Sequence, residues 1–302
     1  MARRAAPALD LPMLLEHWEL HLRAERKSPM TVKSYGDGVR RFLAWAARTG
    51  VPPTLDRRTV AAFVADLMDG GAEATTARSR HLALRRFAAW LVEEGELPVD
   101  PLAGSKPPRL DAKVVHPLSE DQLRALIAAC KGREFRDVRD EALVRFMLET
   151  GARAGEVVAL EVADVDLREQ RAVVRRGKGG KGRVVPFGPQ TGSALARYLR
   201  QRAAHRLAAT PALWVGDRGK PFSYDGLHAA LKARAAAAGI EGFTPHKLRH
   251  TAAHRWLAAG GSEGGLMAVA GWERPDMLAR YTRARASERA AEEARRLNLG
   301  DL

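Results

Sequence analysis

Four short stretches of this 302-residue chain carry side chains suited to holding a phosphate. In TGARAGEVVAL, residues 150–160, a Thr-Gly break leads into a helix with Arg153 near its start. A guanidinium offers a planar fork to two phosphate oxygens and keeps its charge. Glu156 stands one turn on, placed to hold a neighbouring basic group. Alone, this stretch also reads as a surface Arg–Glu pair. In RGKGGKGRVVPF, residues 176–187, glycines let a hairpin tip approach a backbone closely, and Lys178 and Lys181 sit on it. Such a lysine either delivers a proton to a leaving oxygen or only touches phosphates from a solvated turn.

In TPHKLRH, residues 244–250, Thr244 and Pro245 mark a helix start. His246 and Arg249 share a face of its first turn, where exposed amides favour an anion. His246 can donate to a phosphate oxygen or exchange a proton near neutral pH. His250 follows His246 by four, a zinc-site spacing. No glutamate follows His246, no third ligand is evident, and Arg249 would repel a cation. His250 therefore reads as a packing or hydrogen-bonding residue. In AGWERPDMLARYTRA, residues 270–284, Trp272 follows a glycine, and Tyr281 lies nine residues on among Arg274, Arg280, Arg283 and Arg285. A phenol with a pKa of about 10 is a poor nucleophile. Surrounding positive charge favours its phenolate. By itself, a tyrosine on a late helix reads as core.

The elements that must position these residues follow from periodicity. Leu11, Leu14, Leu15, Trp18 and Leu22 form one helical stripe. Ser28-Pro29 starts a second helix that stops near Gly50. A third runs from Thr59 to Met68, and a fourth from Thr75 to Glu94 with Leu82, Phe87 and Leu91 inward. Residues 98–117 hold five prolines and read as an extended linker. Ser119 and Gln122 form a capping box ahead of a new domain. Helices are expected at 138–149 and 154–161, then strands at 164–168, 171–176 and 183–187, then helices again from Pro189. The expected division is a helical unit over 1–100, a linker over 101–117 and a second domain over 118–302.

Composition narrows the partners. A 46% hydrophobic chain of this length has ample core for about two domains. No apolar run approaches the ~18 residues of a membrane span. The basic N-terminus has no apolar stretch behind it, so no secretory signal is expected. The single cysteine, Cys130, excludes a disulfide framework within the chain and fits a reducing cytoplasm; its apolar helical setting reads as packing. The net charge of +14 is uneven. Residues 1–105 hold 15 Lys+Arg against 13 Asp+Glu, and residues 106–302 hold 35 against 23. That excess points to a polyanion, nucleic acid by default.

Taken together, the order Arg, lysine hairpin, His-x-x-Arg, Trp, Tyr resembles the tyrosine recombinase, or phage-integrase, family over nearly the whole chain. TGARAGEVVAL is similar to that family's first arginine box, GKGGKGR with VVPF to its hairpin lysine segment, HKLRHTAAHRWL to its second box, and AGWERPDMLARY to its nucleophile tail. The resemblance implies a mainly α fold with a small antiparallel sheet: an N-terminal SAM-like core-binding bundle and an α+β catalytic domain. It implies site-specific cleavage and rejoining of double-stranded DNA core sites through a 3′-phosphotyrosyl intermediate. Arg153, His246, Arg249 and Trp272 would surround the scissile phosphate. Lys178 would be the general acid, Glu156 the supporting acid and Tyr281 the nucleophile. Most relatives carry histidine where Trp272 stands. An indole N–H donates but cannot exchange its proton, so Trp272 would stabilise and pack.

No cofactor or metal is implied, and no membrane partner. A homotetramer on two duplexes is implied, with a hetero-partner if the protein is Xer-type. Residues 286–302 would form a helix docking on a neighbouring subunit or a solvated terminal helix. The expected role is integration or excision of a phage or mobile element, or Xer-type chromosome-dimer resolution, in the cytoplasm. Three other readings share parts of the pattern: a type IB topoisomerase, a non-enzymatic DNA-binding protein and an RNA-binding structural protein. The last is disfavoured because aromatic-rich strands that stack bases are missing.

Overall fold

The computed structural model describes residues 9–110, 116–175, 182–217, 219–274, 278 and 295. The chain divides into two compact units, Met1–Lys113 and Val114–Leu302. Among the described residues no helix is long and apolar enough to cross a membrane.

The described residues of the first unit form four helices: α1 (Leu11–Ala24), α2 (Pro29–Thr49), α3 (Arg57–Asp69) and α4 (Ala74–Glu93). Asp10, Ser28 and Asp56 cap the first three by accepting backbone N–H groups of the opening turns. The Asp56 cap starts α3 two residues before the expected Thr59. Trp18, Phe42, Phe63, Leu84, Phe87 and Leu91 fill the core. One inward assignment fails: Leu82 is 40% exposed and Leu84 is buried in its place. Leu84, Phe87 and Leu91 recur at three and four, whereas Leu82 stands five before Phe87 and so off that stripe. Residues 101–110, within the stretch expected as linker, lie on this unit. Leu102 is fully buried, the Arg57 guanidinium donates to the Ala103 carbonyl, and His81 Nε2 lies 2.7 Å from Ser105 Oγ.

The second unit contains α5 (Glu120–Ala128), α6 (Phe135–Thr150), α7 (Ala154–Val158), a 3₁₀ turn (Val162–Asp164), β1 (Val165–Asp166), β2 (Arg171–Val174), β3 (Arg183–Pro186), α8 (Pro189–Ala203), α9 (Tyr224–Ala237), α10 (Pro245–Ala258) and α11 (Glu263–Ala270). The capping box foreseen at Ser119 and Gln122 is formed. Helix α6 is buried around most of its circumference and forms the spine of the unit. Its charged residues are paired as burial demands: Asp140 accepts from Arg139 and Arg234, and Glu141 from Arg145 and Arg197. The three strands form one antiparallel sheet in the order β1-β2-β3, with Ala172 opposite Val185. Ala172, Val174 and Val185 face the core while Val173 and Val184 are exposed, the period of two that marks a half-buried sheet. The fold is therefore mainly α with a small antiparallel sheet. Cys130 is buried in the core, and burial pushes its thiol up to about 12.

Candidate active site

Arginine 153 reaches its position through the end of α6. The Thr150 hydroxyl donates to the Phe146 carbonyl at 2.7 Å and accepts the Ala152 N–H at 3.2 Å. Gly151 adopts φ +61° and ends the helix. This turn sets Arg153 as the N-cap of α7. Glu156, one turn later, accepts the Arg153 backbone N–H at 2.9 Å and its guanidinium at 2.8 Å.

Glu156 does more than hold Arg153. Its two carboxylate oxygens also accept from Arg183, at 3.1 and 2.7 Å. The carboxylate is 6% exposed, and burial by itself would push its pKa up. The hydrogen bonds and charge of Arg183 and the Arg153 N–H outweigh burial, so Glu156 titrates below the ordinary glutamate value.

Thr244 and Pro245 open α10 as the sequence suggests. This helix brings His246 to the surface and carries Arg249 inward on the next turn. Arg249 is only 3% exposed. Its guanidinium donates to the carbonyls of Gly151 at 2.7 Å and Ala270 at 2.8 Å. Those bonds fix the plane of a buried positive charge. Trp272 lies behind it, with its ring centroid 5.3 Å from the guanidinium carbon.

Arg153, Glu156, His246 and Arg249 line one cleft of about 530 Å³. Two segments some ninety residues apart in sequence thus converge on a single concave surface with two arginines and an imidazole. Fixed cations in such a cleft can balance charge developing on a phosphate. Trp272 is buried with Ala253, Leu257 and Leu266 against Arg249, and the described residues that line this cleft do not include it. His250 packs edge to face against His246, with ring centroids 4.7 Å apart. Among the described residues no group of three metal-ligating side chains forms. Lys178 and Tyr281 lie outside the described residues.

Three residues at this site escaped the sequence reading. Arg183 stood in the hairpin motif, one position past its last glycine, but only its lysines drew attention. Tyr224, half exposed, and His228 also line the cleft, their rings tilted against each other with centroids 4.5 Å apart on the first turns of α9. Nothing in their local pattern aims them there; the packing of α9 beside α7 does.

Comparison with known proteins gives the same outline. The Phage integrase family matches residues 116–288, and the Phage integrase, N-terminal SAM-like domain matches residues 15–95. Tyrosine recombinase XerD of Corynebacterium glutamicum is 35% identical over 82% of this chain and 86% of its own. Tyrosine recombinase XerC of Haemophilus influenzae is 32% identical over 82% and 84%. The fold also superposes on a lambda integrase tetramer bound to a Holliday junction, with a TM-score of 0.68 and 15% identity over 91% of this chain and 83% of that one.

Proposed function

Because the chain belongs to the phage integrase family and is a site-specific tyrosine recombinase that cleaves and rejoins DNA strands, we propose that the cleft around Arg153, His246 and Arg249 is where the scissile phosphate is held. Tyr281 attacks phosphorus, the bond to the 5′ oxygen breaks, and Lys178 supplies the proton that oxygen needs. The product is a 3′-phosphotyrosyl strand and a free 5′-hydroxyl. Attack by a 5′-hydroxyl on that ester reverses the step, so the energy of the phosphodiester is kept in the covalent link. Arg153 and Arg249 balance the charge on the nonbridging oxygens, and His246 donates to one of them. Trp272 supports Arg249 from its apolar side. Convergence of the two arginines and His246 on one cleft is the observation that carries this reading.

Recombination joins two duplexes, so we assign the active form as a homotetramer on two core sites, supported by the tetrameric assembly of the lambda integrase relative. Similarity to XerD and XerC supports a role in resolving chromosome dimers; in that role a second recombinase would replace part of the homotetramer. Integration or excision of a mobile element uses the same chemistry. Sequencing the sites this enzyme cleaves in its own genome separates the two: one chromosomal site marks the first role, element ends the second.

Tyr281→Phe tests the chemistry. It is expected to bind a nicked suicide duplex as the unaltered chain does and to form no covalent adduct on a denaturing gel. An adduct from the variant would place the nucleophile elsewhere.

A further inference from the structure

Helix α11 ends in three consecutive carbonyls that each accept from a different arginine. Val269 accepts from Arg183 Nε at 2.7 Å, Ala270 from Arg249 at 2.8 Å, and Gly271 from Arg153 at 3.5 Å. Two of these arginines belong to the proposed phosphate cleft. The third, Arg183, is not in its wall. Arg183 instead spans two fixed points: both oxygens of Glu156, which holds Arg153, and the last turn of α11, which holds Arg249 and Arg153. Its side chain is 12% exposed. Gly271 leaves it room, since a Cβ there would stand 3.1 Å from the guanidinium.

We propose that Arg183 is a positioning residue for DNA cleavage: it clamps Glu156 to the C-terminus of α11 and thereby sets the two arginines that face the phosphate. Five N–H donors in a rigid planar fork suit this bridge, in which Nε serves Val269 and the two terminal nitrogens serve the two oxygens of Glu156. A lysine in its place keeps the charge but lacks the planar fork that pairs with both carboxylate oxygens at once. Without the clamp, Glu156 loses one of its two cationic partners and the arginines lose their common frame. A misplacement of about 1 Å costs on the order of 10² in rate. The inference rests on the phosphate-cleft reading above.

Single-turnover cleavage of a suicide duplex, with enzyme in saturating excess, tests it on two substrates. One has an ordinary scissile phosphodiester. The other has a methylphosphonate there, in which a methyl group replaces a nonbridging oxygen and removes the charge the arginines balance. Arg183→Met is expected to cleave the ordinary duplex about 10²-fold more slowly than the unaltered chain with DNA affinity unchanged. On the methylphosphonate the gap should shrink to a few-fold. Arg183→Lys should show the same selective pattern with a smaller deficit, and it carries the test if the methionine variant fails to melt cooperatively. An equal deficit on both substrates, or a loss confined to DNA binding, overturns the positioning role. If the unaltered chain itself formed no adduct on the ordinary duplex, the phosphate-cleft reading would fall first.

Discussion

At the scale of single residues, Glu156 decides most. It is a buried acid held ionised by two arginines, so its folded pKa lies below its unfolded value of about 4.3. Near pH 4 the unfolded chain therefore binds more protons at this position than the folded one. Stability from Glu156 is fully present above about pH 4.3 and is lost as pH falls through the lower folded value. Chemical denaturation of the unaltered chain between pH 6 and 3 should show stability falling with acid. Glu156→Gln should be less stable at neutral pH and flatter across the acid range. Parallel curves for the two proteins would show that Glu156 is not the group whose protonation matters. Arg249 makes the complementary point. Its two carbonyl partners orient a charge that solvent scarcely reaches, so little reorganisation is left for the moment of reaction.

Among the elements, the two helix ends at Gly151 and Gly271 matter more than the helices themselves. Both glycines sit at positive φ, +61° and +63°. Gly151 ends α6 two residues before Arg153, and its carbonyl accepts from Arg249. A Cβ at Gly151 would meet only the Ala252 Cβ at 3.5 Å, an ordinary contact. The cost of Gly151→Ala is therefore backbone strain alone, roughly 1–2 kcal/mol. For a unit of this size that is a fall in Tm of roughly 2–8 °C. Calorimetry checks it, and an unchanged Tm would mean that the turn relaxes without strain. Cleavage should slow as well, because the same turn delivers one arginine and fixes the other. The sheet serves by its third strand, which begins with Arg183 and so joins the hairpin's root to α7 and α11.

For the whole molecule, charge is the governing quantity. The excess of +14 lies mostly beyond residue 105. A protein that neutralises 6–10 phosphates releases their counterions and loses about 10³–10⁵ in affinity between 50 and 200 mM salt. Binding of this chain to a core-site duplex should fall steeply and linearly on a log–log salt plot. A nearly flat plot would contradict a DNA clamp. Each unit holds its own core, so the substrate contacts of the two can be separated by substitutions that leave both cores intact.

The sequence by itself determined the elements and the chemical inventory. Helical stripes, caps at Ser28 and Ser119, the Thr-Gly break before Arg153 and the Thr-Pro start before His246 are signals carried within a few neighbouring residues, and each formed where its pattern lay. Local patterns could not say what those residues face. Leu82 fits a core pattern and is exposed, and nothing within the hairpin motif directs Arg183 to Glu156 and Val269. Only the tertiary structure brought Arg153 to Gly271 across 118 positions and Arg249 to Gly151 across 98. Hydrogen bonds over such separations depend on how α6, α10 and α11 pack, and packing is a property of the assembled core that no short window of sequence contains.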